Sequence, residues 1–302
     1  YSDLPLFNLV AATFIPVLLI GFLFITISHK VIEKRQSRFI SHYKLIDVLG
    51  MGGMGKVYKA IDVNSKTVVA VKVINPEILK SDENKKRITD EGRILTSLNH
   101  PNIVRVFEIG ETEETGYVAM EYLPGGTLYE YIKNNSPLSF ETIKEYLLQI
   151  CSGLEEIHSK NIIHRDLKSS NIMIDKNGII RIMDFGLSKS PLIATMTSLG
   201  TALGTLGYVA PEQITNSNVD NRTDIFSLGV ILYELITNEL PFKGENEIAM
   251  IHSIFNTNPV NPCELNPHIP NFVGEIVLKC IDKNSENRYS SVTGIINDIN
   301  NN

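Results

Sequence analysis

Two hydrophobic periods divide this chain. From residue 43 to about residue 121, apolar positions come in short runs. Residues 43–49 alternate weakly and end in Gly50, 56–63 and 67–74 are rich in Val and Ile, and 104–109 and 117–120 repeat the pattern. Such runs predict half-buried strands. One stretch among them, 85–98, has helical spacing, with Ile88, Gly92, Leu95 and Leu98. Beyond Pro124-Gly125-Gly126 the period lengthens. Residues 140–158 place Ile143, Tyr146, Leu147, Ile150 and Leu154 on one helical face, and 223–237, 247–255, 272–280 and 292–299 follow suit. The pattern predicts a small sheet-rich lobe with one helix over 43–122 and a larger helical lobe over 124–299. Clefts between lobes are where ligands bind.

A third pattern precedes both lobes. Residues 4–28 carry no charged side chain. About 20 apolar residues span a bilayer core as a helix, so 4–28 is expected to be a transmembrane helix in contact with lipid. Pro16 would kink it, which membrane helices tolerate better than soluble ones. Lys30, Lys34, Arg35 and Arg38 follow, against Glu33 alone. Basic residues stay on the cytoplasmic side, so a single-pass protein with a juxtamembrane linker over 29–42 and a cytoplasmic remainder is expected. A signal peptide would have a shorter apolar region ending in a small-residue cleavage site. A buried hairpin of a soluble protein is the other reading. The chain begins with Tyr1 and not Met, which reads as a fragment or a processed piece.

Composition changes this picture little. Apolar residues at 43% and charged residues at 21% suit a packed core. The net charge of −6 argues against nucleic acid as a partner. Cys151, Cys263 and Cys280 are too widely spaced for a zinc pattern and read as buried thiols.

Chemistry enters through four short motifs. Gly50-Met51-Gly52-Gly53-Met54-Gly55-Lys56-Val57 lies between two predicted strands. Glycines let backbone N–H groups approach phosphates, although a plain glycine-rich hairpin reads the same way. The strand-to-strand setting excludes a Rossmann fingerprint, and no Gly-Lys-Ser/Thr follows for a Walker A loop. Lys72 lies inside the apolar run Val69-Ala70-Val71. A buried ammonium needs an anion, for which Glu91 is the best placed carboxylate and Asp90 the second. Lys72 on the outer face of its strand remains open. His164-Arg165-Asp166-Leu167-Lys168-Ser169-Ser170-Asn171 is a polar cluster between apolar runs, and Asp184-Phe185-Gly186 ends a strand-like run. A carboxylate can orient a hydroxyl, and an amide and a second carboxylate can hold Mg²⁺, which prefers oxygen ligands. Each motif alone could be a solvated turn, but their joint order is informative.

Together these motifs resemble the eukaryotic-type protein kinase family over residues 43–299. The wording of residues 49–55 and of Gly204-Thr205-Leu206-Gly207-Tyr208-Val209-Ala210-Pro211-Glu212-Gln213 is similar to its bacterial Ser/Thr members. The resemblance implies an α+β, bilobal protein-kinase fold and transfer of the γ-phosphoryl of ATP, with Mg²⁺, to Ser or Thr of a protein substrate. It implies that Leu49, Gly50, Gly52, Gly53 and Gly55 cover the nucleotide. Lys72 would contact the α- and β-phosphates and pair with Glu91. Val57, Ala70 and Met173 would sandwich adenine. Met120 would guard a back pocket, and the backbones of Glu121 and Leu123 would bind the adenine edge. Asp166 would orient the hydroxyl, Lys168 would steady the γ-phosphate, and Asn171 and Asp184 would hold Mg²⁺. Arg165 would read a phosphate on the loop 187–209, where Thr195, Thr197, Ser198, Thr201 and Thr205 lie. Lys168 and Thr205 favour Ser/Thr over Tyr substrates. A homodimer for autophosphorylation is a further implication. Asp224 and Arg288 match structural positions, Arg288 as partner of Glu212. A pseudokinase or a small-molecule kinase are the rival readings. The first is disfavoured because Lys72, Asp166 and Asp184 are all present, the second because of Ala210-Pro211-Glu212.

Overall fold

A computed structural model describes residues 39–52, 55–77, 95–113, 115–184, 203–215 and 217–302. Six strands form one antiparallel sheet: β1 (Phe39–Ile40), β2 (Tyr43–Gly52), β3 (Gly55–Asp62), β4 (Val68–Ile74), β5 (Val106–Glu111) and β6 (Gly116–Glu121), in the order β1-β2-β3-β4-β6-β5. Alternation along β4 gives the sheet two faces. Val69 and Val71 join Tyr43, Ala60, Tyr117 and Ala119 in a small outer cluster. Ala70 and Ile74 belong to the main core with Val118 and Met120. Lys72 shares their parity, so the strand turns it toward the lobe interface and away from the outer cluster. The outer face is closed by Glu108, whose carboxylate accepts from the Tyr43 hydroxyl at 2.8 Å and the Tyr117 hydroxyl at 2.7 Å.

The large lobe contains α1 (Leu128–Asn135), α2 (Phe140–Ser159), a hairpin of β7 (Ile172–Ile174) and β8 (Ile180–Ile182), α3 (Leu203–Leu206), α4 (Pro211–Ile214), α5 (Asn221–Thr237), α6 (Glu247–Asn256), α7 (Pro262–Leu265), α8 (Asn271–Cys280) and α9 (Val292–Asn301). Every residue from Thr223 to Ile236 is buried, so α5 is enclosed on all sides. A helix apolar around its whole circumference belongs in an interior. It stands as a central post, with α8 and α2 packed on it. A strap behind the cleft joins the lobes. The Val104 amide donates to the Ile182 carbonyl, and the Ile182 amide to the Asn102 carbonyl, both at 2.9 Å.

The predicted elements appear with small shifts of boundary. The run at 104–109 enters the sheet only at Val106, because Val104 is bonded to β8 of the other lobe. Strand β1 falls inside the stretch expected to be linker, where Phe39 and Ile40 pair with Lys44 and Tyr43. Helix α1 was not predicted. Of the expected helix at 85–98, residues 95–97 are helical and 85–94 lie outside the described residues. The expected membrane segment at 4–28 also lies outside them. Among the described residues no helix is long and apolar enough to cross a membrane. The three cysteines are free and buried, and burial pushes the Cys280 thiol up to about 12.

Candidate active site

The cleft face of the sheet is assembled by register. Ala70 pairs with Met120, Lys72 with Val118 and Val57 with Lys72, so Val57, Ala70, Lys72 and Met120 share one face. Leu49, Gly50 and Gly52 lie on β2 above it, with Leu49 exposed. The glycines of this hairpin differ in what they do. A Cβ on Gly50 or Gly52 would meet nothing within 4 Å, so these two leave open space. A Cβ on Gly55, whose φ is +147°, would lie 1.9 Å from the Val73 carbonyl oxygen. Gly55 is therefore required by the sheet itself. Gly52→Ala is expected to leave the melting temperature nearly unchanged and to raise the KM for ATP, whereas Gly55→Ala is expected to destabilise the small lobe. Thermal melts alongside ATP titrations separate the two. Gly53 and Glu91 lie outside the described residues.

Lys72 is buried, with its Nζ 2.8 Å from Asp184 Oδ1. These residues were expected to converge, and here they touch directly. Their meeting satisfies the ammonium buried in an apolar strand. Asp184 has a φ of +61°, a left-handed backbone that a non-glycine residue holds only under constraint, and such outliers gather at functional sites. Behind Met120 a small apolar cavity is lined by Leu95, Val104, Val106, Val118, Met120, Met183 and Asp184. It lies where a back pocket was expected. Glu121 ends β6, its amide donating to the Arg105 carbonyl at 2.9 Å, and Leu123 is buried just beyond. Met173 is the middle residue of β7, below the cleft.

The floor of the site is the turn from His164 to Asn171. Lys168 Nζ donates to both carboxylate oxygens of Asp166 at 3.0 Å. Asn171 Nδ2 donates to the Asp166 carbonyl at 2.8 Å and to Asp166 Oδ2 at 2.9 Å. Both amide hydrogens of Asn171 thus face Asp166, leaving its amide oxygen for a cation. Together with the Asp184 carboxylate, this is a hard oxygen donor set, and it fits Mg²⁺ shared with phosphate oxygens.

Helix α5 holds this turn in place. Asp224, fully buried at its start, accepts from the His164 amide at 2.8 Å, the Arg165 amide at 2.9 Å and His158 Nε2 at 2.8 Å. Burial pushes the Asp224 carboxyl up, but the His158 bond and the other donors outweigh it and hold the carboxyl below its ordinary range. Arg165 has a φ of +68°, and the Asp224 bonds to two successive amides fix that kink. Gln213 Nε2 donates to the Arg165 carbonyl at 2.8 Å. Arg165 Nε is buried with no hydrogen-bond partner among the described residues.

The segment at 203–213 is bonded to the Arg165 carbonyl and to α5. Thr205 is half-buried in α3, and its carbonyl accepts the Tyr208 amide at 3.3 Å. Thr195, Thr197, Ser198 and Thr201 lie outside the described residues. Glu212 forms the expected buried pair with Arg288, at 2.7 and 3.0 Å, and also accepts from Thr223 Oγ1 at 2.9 Å. Tyr208 donates to Glu234 Oε2 at 2.5 Å, and Ser227 Oγ donates to the Tyr208 carbonyl at 2.8 Å. Sequence reasoning assigned no role to His158, Ser227 or Glu234. They sit mid-helix or at a helix end, where nothing local marks them.

Comparison with known proteins agrees with this geometry. The profile of the protein kinase domain matches residues 43–299. The serine/threonine-protein kinase PrkC of Bacillus subtilis is 34% identical over 262 residues, covering 87% of this chain and 40% of its own length. The serine/threonine-protein kinase PknB of Mycobacterium leprae is 35% identical over 254 residues, covering 82% and 41%. The chain thus spans about two fifths of the length of the curated relatives it matches. The crystal structure of Rad53 1-466 in complex with AMP-PNP superposes with a TM-score of 0.72 at 30% identity, over 85% of this chain and 64% of that one. The kinase domain of Mycobacterium tuberculosis PknI matches in fold, with a TM-score of 0.69 at 20% identity over 87% and 97%. A two-lobed fold, a cleft that brings Lys72, Asp166, Asn171 and Asp184 together and a profile match over 43–299 lead to one assignment: the chain belongs to the protein kinase domain family.

Proposed function

We propose that this chain is an ATP-dependent protein kinase that phosphorylates Ser and Thr hydroxyls. The observation that carries this reading is the convergence of Lys72 on Asp184 at 2.8 Å across the cleft from an intact Asp166, Lys168 and Asn171 cluster. The printed names of the bacterial relatives support the same class. Val57, Ala70 and Met173 hold adenine, with Met120 at its back and the Glu121 and Leu123 backbones along its edge. Gly50 and Gly52 leave room for the phosphates, and Lys72 neutralises them. Asn171 and Asp184 hold Mg²⁺, which when bound offsets charge on the phosphate oxygens. Asp166 accepts the proton of the attacking hydroxyl, and Lys168 supports the transferring group. Positioning and charge neutralisation supply most of the catalysis in such a transfer. Incubating the protein with ATP labelled at the γ-position and a mixed protein substrate tests this. Phosphoserine and phosphothreonine are expected, and label confined to phosphotyrosine, or none at all, overturns the reading.

The loop at 187–209 is proposed as its own first substrate. Arg165 Nε, buried and without a hydrogen-bond partner among the described residues, supports this, since a loop phosphate would give it an anion. One copy phosphorylates another, so a transient homodimer forms. Mass spectrometry of the active protein is expected to find phosphate on at least one of Thr195, Thr197, Ser198 and Thr201. All four unmodified in active protein defeats the proposal. Residues 4–28 are proposed to anchor the protein in a membrane as a single helix, with the kinase domain cytoplasmic. Their uncharged length and the basic residues after them support this. Membrane fractionation followed by protease protection checks both halves of the statement.

A further inference from the structure

The catalytic turn is tied to α5 a second time, through Ser169. This residue is 1% exposed and opens the 3₁₀ turn Ser169–Asn171 that delivers the Asn171 amide. Its Oγ lies 2.9 Å from Tyr208 Oη, which in turn is bonded to Glu234. A tyrosine hydroxyl has one hydrogen, and that of Tyr208 goes to Glu234 Oε2. The direction is therefore forced: Ser169 donates to Tyr208, and Tyr208 donates to Glu234. Burial, together with the neighbouring Glu234 carboxylate, pushes the Tyr208 phenol well above its ordinary range, so it remains a hydroxyl at any working pH. Tyr208 is itself pinned at its carbonyl by Ser227. All three side chains of the relay are buried.

We propose that Ser169 is a positioning residue for the metal-holding amide, its hydroxyl tying the 3₁₀ turn of Asn171 to Tyr208 and, through Glu234, to α5. This rests on the kinase reading above. Asp224 fixes the turn at 164–165, and Ser169 fixes it at the far side of Asp166. Without the second tie, the turn keeps the Asp224 bonds at one end and the Met183 amide on the Asn171 carbonyl at the other, but the 3₁₀ segment between them loses its side-chain tie to α5, and Asn171 is held less tightly against Asp166 and a bound cation. The loss in Ser169→Ala is small for the fold, because Tyr208 keeps its bond to Glu234 and only an acceptor lone pair is left over.

The test uses the full chain. In Ser169→Ala without nucleotide, hydrogen exchange at the Asn171 amide, which is bonded to the Lys168 carbonyl, is expected to be about 2–12-fold faster, the factor for one net hydrogen bond. Exchange along α5 should be unchanged. The free Mg²⁺ concentration for half-maximal turnover should rise by a similar factor, and the KM for ATP less. Tyr208→Phe should shift the Mg²⁺ dependence in the same direction, and the double variant no further than either single one. Unchanged exchange and Mg²⁺ dependence in Ser169→Ala overturn the inference and leave the kinase reading standing. Faster exchange spread evenly through α5 also overturns it, since that is general destabilisation. Absent turnover in the unaltered chain is a failure of the kinase reading instead, and the exchange measurement still decides the role of Ser169.

Discussion

Asp166→Asn is expected to lower kcat about 10²–10⁴-fold, with the KM for ATP changed far less. Asp166 is the proposed proton acceptor, and its carboxylate is an acceptor for three donated bonds, two from Lys168 and one from Asn171. An asparagine there has the same shape but offers an NH₂ to those donors. Its remaining oxygen can still accept from Lys168 and Asn171, but it cannot take a proton, so the loss falls on the chemical step. A fall in kcat with KM preserved marks an interaction needed in the transition state. The proposed nucleotide grip uses other residues, among them Lys72, Val57 and Ala70, so it should survive. Steady-state kinetics over ATP concentration, with a thermal melt as control for folding, checks this. Turnover within tenfold of the parent means that Asp166 is not the base.

Asp224→Ala is expected to have the largest effect on stability. It removes the buried acceptor of three donors, the His164 and Arg165 amides and His158 Nε2. Each donor left without a partner costs about 1–3 kcal/mol, against a total stability of about 5–15 kcal/mol. A drop of more than about 10 °C in Tm follows for a domain of this size. Asp224→Asn keeps one accepting oxygen and should fall between. The pH dependence has a definite sign. The folded Asp224 carboxyl lies below its ordinary value, so the folded state binds its proton less readily than the unfolded chain does. Its contribution is full above the ordinary carboxylate range, about 3.9, and is lost as pH falls through the lower folded value. Glu212 has the same sign. Burial raises it, and the Arg288 bonds and charge more than offset that. Thermal melts from pH 7 downward should show the parent losing stability more steeply at the acid end than Asp224→Asn.

Much of this site is legible in the sequence because its parts are local. The order Asp166, Lys168, Asn171 packs a base, a cation and an amide into one turn, and no long-range folding is needed to bring them together. Lys72 could be placed on the cleft face only once the alternation of β4 was combined with its pairing partners. The direct Lys72–Asp184 contact spans 112 residues and leaves no local trace. The same holds for His158 with Asp224 and for Ser169 with Tyr208. Helix α1 is a different kind of omission. Thr127 accepts from the Glu130 amide and Glu130 Oε2 from the Thr127 amide, a reciprocal cap. The spacing Thr-x-x-Glu ahead of an apolar run announces such a cap, so this helix was there to be read. Strand β1 is two residues long, too short for any period to show.

Helix α5 carries Asp224, Ser227 and Glu234 on one rigid rod. Through them it grips the turn before Asp166 and the segment carrying Tyr208. Asp224 holds the amides of residues 164 and 165, and Ser227 and Glu234 hold the carbonyl and hydroxyl of Tyr208, so the two segments are referenced to a single helix. A substitution that displaced this helix would therefore be felt at both segments together, whereas one confined to either segment would be felt there alone.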